Sequence, residues 1–154
     1  MVPEKFRKLV FVAPVGVKLG SRDALDIPDI FALPTATIET LLYHEPERHR
    51  ADPSKMTDQE LTVMLRNRET TALLTWEPYM HNPKLRHRLR RVTNQTLFLR
   101  GEHDGLISAS YMEGYARLLP NARTQTVPNA GHVPHVEQPE AFVSAVLAFL
   151  DREG

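Results

Sequence analysis

The sequence predicts an α/β protein, about three parallel strands with a mostly helical segment inserted after the first of them. Three observations predict it. Leu9-Val10-Phe11-Val12-Ala13 is a short unbroken apolar run, rich in branched and aromatic residues, of the kind buried on both faces of a parallel sheet. From residue 93 onward, strand-like and helix-like patterns alternate. Between about residues 35 and 92, by contrast, the apolar spacing is helical only.

The first strand, Leu9 to Ala13, ends where Pro14 and Gly16 break the run. From Leu19 to Pro34 no period is visible, and the stretch reads as a loop. Ile38, Leu41 and Leu42 then fall at i, i+3, i+4 of a helix that Pro46 should stop. Thr57-Asp58-Gln59-Glu60 is a capping box, in which the Thr hydroxyl and the Glu carboxylate satisfy each other's backbone donors. Leu61, Met64 and Leu65 carry that helix towards Leu74. Asn82-Pro83 reads as another helix start, with Leu85, Leu89 and Val92 as its apolar stripe.

Thr96 to Leu99 is the second strand, closed by Gly101. A helix follows from about Ser108, a good N-cap, to Leu119, where Pro120-Asn121 ends it. Thr124 to Val127 is a third strand. Gln138-Pro139-Glu140 opens the last helix, and Phe142, Val143, Val146, Leu147 and Leu150 mark its apolar stripe.

Composition excludes several classes of function. The 154 residues suit one domain or a piece of one. Nineteen basic residues balance nineteen acidic ones, which argues against a general nucleic-acid binder and against an acidic tail. Without cysteine there is no disulfide scaffold, thiol nucleophile or thiolate metal site. The longest apolar run, Leu9 to Val17, is interrupted by Pro14 and Gly16 and falls short of the roughly 20 residues that span a bilayer. Lys5, Arg7 and Lys8 precede it in the manner of a signal peptide. Glu4 lies among them, however, and no clean cleavage site follows, so the run reads as a core strand of a cytoplasmic protein.

Two turns that follow strands hold the candidate chemistry: Arg100-Gly101-Glu102-His103-Asp104 and Pro128-Asn129-Ala130-Gly131-His132. Ligands and chemistry gather at the carboxyl ends of strands in an open α/β sheet. An Asp on one turn and a His on the next can meet there, the Asp fixing the imidazole tautomer and the His acting as a general base. Each also has a plain structural use, Asp104 as a turn or helix cap and His132 as a hydrogen-bonded histidine. His103 should be exposed, and His135 should support or pack behind His132. The pairs His132-x-x-His135 and His44-x4-His49 lack a third ligand at a suitable spacing, so no metal is expected. The basic run Lys84 to Arg91 interleaves leucines at helical spacing and reads as a solvated face.

Strand, Gly-x-x-Asp, helix, strand, Gly-His, then Pro-Glu and a terminal helix resembles the C-terminal half of an α/β-hydrolase. Leu97 to Asp104 and Gly131 to Phe142 carry that resemblance, and Pro3 to Pro14 is similar to the sixth strand of the fold with its lead-in. The resemblance implies a partial fold of strands six to eight, with residues 1–19 and 93–154 as core and residues 20–92 as a helical cap. It implies Asp104 as the triad acid, His132 as the base, no cofactor, and hydrolysis of an ester, amide or carbon–carbon bond in a small apolar substrate. Trp76, Tyr79 and Met80 would face that substrate or pack within the cap. The family's nucleophile sits in G-x-S-x-G, and that motif is absent; Ser21, after Gly20, is the nearest approach. The isolated chain is therefore expected to lack both nucleophile and oxyanion hole, and to expose an edge at its first strand. That edge favours a second copy of the chain or a complementing N-terminal half as partner. The alternative is a non-catalytic relative that acts as a binding module.

Overall fold

A computed structural model describes residues 5–21 and 23–152. Pro3 and Glu4, assigned above to the lead-in of the first strand, lie outside the described residues. Strands β1 (Lys8–Val12), β2 (Gln95–Gly101) and β3 (Ala122–Val127) form one sheet in the order β1-β2-β3, and both pairings are parallel. Phe98, at the middle of β2, stands between Phe11 of β1 and Thr124 of β3.

The pleat of β2 serves two apolar clusters, as a strand covered on both faces must. Phe98 joins Tyr111, Met112 and Tyr115 of α4 (Ala109–Ala116). Leu97 and Leu99, on the other face, join Ala145 and Phe149 of α6 (Pro139–Leu150). Leu97, Phe98 and Leu99 are all fully buried. Ser108 caps α4 by accepting from the Tyr111 N–H at 3.1 Å. On β1, Leu9 and Phe11 turn to the α4 side and Val10 to the α6 side.

The long connection between β1 and β2 contains α1 (Thr35–Leu42), α2 (Pro46–His49) and α3 (Asp58–Thr75). Its two ends are anchored in the core: Val17 and Ile27 near the start, and Met80, Leu89 and Val92 near the close, are buried in the α4-side cluster. The capping box forms as the sequence predicts, with Thr57 N–H donating to Glu60 Oε2 at 2.8 Å and Glu60 N–H to Thr57 Oγ1 at 3.3 Å. Yet α3 buries no side chain, and Leu73 and Leu74 are each 79% exposed. Among the described residues no helix is long and apolar enough to cross a membrane.

Two helix expectations are corrected. Pro46 does not stop α1, which ends at Leu42; it opens α2 from the first helical position, where a missing N–H costs nothing. Asn82-Pro83 does not start a helix. Residues 83–88 form turns, followed by a single 3₁₀ turn, Leu89–Arg91. The Asn82 carboxamide accepts from Lys84 N–H at 2.9 Å, an Asx turn that competes with helix formation. The bonds that follow run mainly to the third residue back, as from Leu85 to Asn82 and from Arg88 to Leu85. The apolar stripe still does its work, with Leu89 and Val92 buried and Leu85 packed against them, while Lys84, Arg86, Arg88, Arg90 and Arg91 remain exposed.

Tyr111 ties the start of the connection to α4, its phenol donating to the Val17 carbonyl at 2.8 Å. Burial pushes its pKa up from 10.0 to about 12. The folded chain therefore keeps the phenolic proton at a pH where the unfolded chain has lost it. Stability should hold below pH 10 and fall between pH 10 and about 12. Tyr111→Phe should cost about 0.5–1.5 kcal/mol at neutral pH and flatten that alkaline fall. Denaturant unfolding at stepped pH measures both effects, and an unchanged alkaline slope in the variant would remove Tyr111 from the account.

Candidate active site

Asp104 lies three residues beyond the end of β2 and His132 five beyond the end of β3, at the carboxyl ends of neighbouring strands. Backbone packing brings their turns together. Gly101 lies so close to the Ala130–Gly131 backbone that a Cβ on it would overlap the Gly131 carbonyl oxygen. The turns are also bonded to each other: Glu102 N–H donates to Val127 O at 2.9 Å and His103 N–H to Ala130 O at 2.8 Å. Asn129 stands at φ 52°, a left-handed conformation that asparagine tolerates, and its N–H donates to Glu102 Oε2 at 3.2 Å.

The Asp104 side chain is 0% exposed. Its Oδ1 accepts from the N–H groups of Leu106 and Ile107, each at 2.9 Å. Its Oδ2 lies 3.1 Å from His132 Nδ1, with Oδ1 at 3.3 Å from the same nitrogen. The structural and the chemical use of the residue thus occur together, the first mainly on Oδ1 and the second mainly on Oδ2. A carboxylate only accepts, so the contact requires the proton on Nδ1 and leaves Nε2 as the basic nitrogen. Nε2 has no hydrogen-bond partner among the described residues, and the His132 side chain is 23% exposed. An oriented imidazole with one free, accessible nitrogen can take a proton from a bound hydroxyl or water.

Residues that sequence reasoning passed over support both turns. Arg100, buried at the end of β2, donates through Nε to the Ile107 carbonyl at 2.5 Å and through Nη2 to the Glu102 carbonyl at 3.1 Å. The C-terminal end of α1 reaches both turns as well. Gly105 N–H donates to Leu41 O at 3.0 Å, and His132 N–H donates to Leu42 O at 2.7 Å. Glu137, at the end of α5 (Pro134–Glu137), accepts from Gly131 N–H at 2.6 Å. A buried carboxylate without a charged partner is the signal that would mark Glu137, and burial is not readable from one sequence.

The side chains of the remaining candidates make no hydrogen bond to this pair among the described residues. His103 is exposed, and its ring stacks on His44 at 3.9 Å between centroids. His135 is exposed with its ring 5.8 Å from Phe142. Trp76 is 57% exposed and its ring lies 5.7 Å from Phe31. The Tyr79 hydroxyl donates to Pro28 O at 2.6 Å and accepts from Ile30 N–H at 3.0 Å. Met80 is buried in the α4-side cluster at φ 51°. Among the described residues no group of three or more His, Asp or Glu side chains is placed to hold a metal ion.

The dual role of Asp104 predicts different outcomes for two substitutions. Asp104→Asn keeps an oxygen for the Leu106 and Ile107 N–H groups and should cost little stability. Asp104→Ala strands both donors in a buried turn and should cost about 1–3 kcal/mol. Chemical denaturation of the two variants decides it; equal losses would contradict the division of labour between the two oxygens.

Comparison with known proteins bears on the whole chain. A family model described as the alpha/beta hydrolase family matches residues 3–145. The mouse (Mus musculus) protein named sn-1-specific diacylglycerol lipase ABHD11 is 46% identical over 55 residues, which are 36% of this chain and 18% of that protein. Among solved structures, a serine hydrolase from Cycloclasticus zankles, a polyaromatic-hydrocarbon-degrading bacterium, superposes with a TM-score of 0.66 at 20% identity. That match covers 97% of this chain and 57% of the hydrolase. A membrane phospholipase A, described as a bacterial virulence factor, superposes with a TM-score of 0.68 at 21% identity, covering 97% of this chain and 50% of the phospholipase. Identities this low speak for the fold alone. The chain thus spans about half of each solved structure and a smaller share of the lipase.

Proposed function

The chain belongs to the α/β-hydrolase family, and from that premise we propose that it supplies the acid–base pair of a hydrolytic triad. The observation that carries the reading is the Asp104–His132 contact at 3.1 Å, with Nε2 unbonded among the described residues. His132 Nε2 removes the proton of a serine hydroxyl as that oxygen attacks the substrate carbonyl. Asp104 stabilises the imidazolium so formed without itself taking the proton. The imidazolium then protonates the leaving group as its bond to the carbonyl carbon breaks. In the second half, His132 takes a proton from water, which attacks the acyl-serine, and returns that proton to the serine.

The serine and the oxyanion donors come from a strand-turn-helix segment that G-x-S-x-G would mark, and the sequence holds no such motif. A complementing N-terminal half is the partner this requires. It would lie along β1, whose pairing among the described residues is with β2 alone. Val143, Leu147 and Leu150 on the open face of α6 offer a further apolar surface to it, or to a second copy of the chain. Residues 20–92 act as the cap over the site. Trp76 is the exposed aromatic of the cap and would meet the substrate, with Tyr79 half-buried against Phe31 and Met80 buried in the α4-side cluster. The substrate is a small, uncharged and largely apolar ester, amide or carbon–carbon compound.

Co-expression with an N-terminal half carrying G-x-S-x-G tests this. The pair should hydrolyse short-chain p-nitrophenyl esters and label with a fluorophosphonate probe. His132→Ala should reduce turnover by about 10⁴-fold or more. Activity indifferent to His132→Ala would refute the reading. Absence of G-x-S-x-G favours one rival, a non-catalytic relative that binds a partner. Complexes that assemble but neither hydrolyse nor label would select it.

A further inference from the structure

Glu137 is buried, and among the described residues no Lys or Arg pairs with it. A buried carboxylate is tolerated only where donors replace its hydration. Here the donors are backbone amides, and they come from two separate parts of the chain. Oε2 accepts from Gly131 N–H at 2.6 Å, in the turn that carries His132. Oε1 accepts from His44 N–H at 2.8 Å and Glu45 N–H at 3.2 Å, at the junction of α1 and α2. One carboxylate therefore spans two segments some ninety residues apart in sequence, one oxygen to each.

The segments meet tightly around it. A Cβ on Gly131 would come within 2.9 Å of His44 N and would overlap the Leu42 carbonyl oxygen. That same carbonyl accepts from His132 N–H at 2.7 Å. On the Asp104 side, a Cβ on Gly105 would come within 2.8 Å of Leu41 Cα. The end of α1 thus packs against both the Asp104 turn and the His132 turn. Glu137 is the only charged side chain among the described residues that bonds both the α1–α2 junction and the His132 turn.

We propose that Glu137 is a positioning residue that clamps the α1–α2 junction onto the Gly131–His132 turn and so sets where the His132 imidazole stands relative to Asp104. The assignment rests on the acid–base reading of that pair. The geometry explains why a carboxylate is required. A glutamine offers one acceptor oxygen, so its NH₂ must face an N–H on one side of the clamp. An aspartate is one methylene too short to reach both sides.

The test is NMR on the 154-residue chain, comparing wild type with Glu137→Gln and Glu137→Ala. Amide exchange at Gly131, His44 and Glu45 reports the clamp, and the His132 ring ¹⁵N signals report the imidazole. Glu137→Ala should speed exchange at all three amides by about tenfold or more, the loss of one charge-assisted hydrogen bond. It should also shift the His132 ring signals. Glu137→Gln should do so on one side of the clamp only, and it decides the matter if the alanine variant fails to fold. Leu119→Ala, a destabilising change in the α4-side cluster, should leave the His132 ring signals in place. Unchanged exchange and unchanged ring signals in the Glu137 variants would overturn the proposal. So would ring signals displaced equally by Leu119→Ala, which would reduce Glu137 to general stability. Exchange is read without reference to catalysis, so a wild-type His132 that proves not to pair with Asp104 would defeat the acid–base reading while the clamp is still judged by its amides.

Discussion

The close approach of two glycines governs the arrangement of this molecule. Gly101 ends β2 and Gly131 precedes His132, and their backbones pack with no room for a Cβ between them. Parallel neighbours in a sheet launch their following turns in the same direction. With both glycines in place, the turns after β2 and β3 lie against each other rather than side by side. Asp104 can then be buried completely and still reach the imidazole. Any side chain at Gly101 would have to push the His132 turn away, and the acid–base pair would separate with it.

That arrangement depends on neighbours of several kinds. Arg100 closes the Asp104 turn by bonding the Ile107 and Glu102 carbonyls. The end of α1 packs on both turns as well. The sheet beneath is held by a central strand with both faces buried, Phe98 towards α4 and Leu97 and Leu99 towards α6. Close packing is therefore concentrated where the pair stands. It fades in the connection between β1 and β2, where α3 is capped at its start but packs no side chain into a core.

The sheet and the pair were legible in the sequence because both follow local rules. Apolar runs ended by Gly or Pro marked the first two strands, and the Gly-x-x-Asp and Gly-His turns marked the site. Thr57 and Ser108 announced helix starts through side-chain capping, which needs nothing beyond a few residues. The segment after Asn82 was misread because the spacing of Leu85, Leu89 and Val92 fits a helix and also fits turns that bury the same residues. The Asn82 side chain, bonding Lys84 N–H, decides between them. The role of Glu137 was not legible, since it depends on amides some ninety residues away. Exposure of the α3 leucines was equally hidden, because spacing reports which residues share a face and not what covers it.

The central claim is that Asp104 holds His132 in the tautomer a base requires. The direct measurement is ¹⁵N NMR of the His132 ring in the wild-type chain near neutral pH. The account predicts that the neutral form of the ring carries its proton on Nδ1, with a low-field Nδ1–H signal that Asp104→Asn abolishes in favour of the Nε2–H form. A wild-type ring protonated on Nε2, with signals indifferent to Asp104→Asn, would show that the two residues do not act as a pair and would contradict the account.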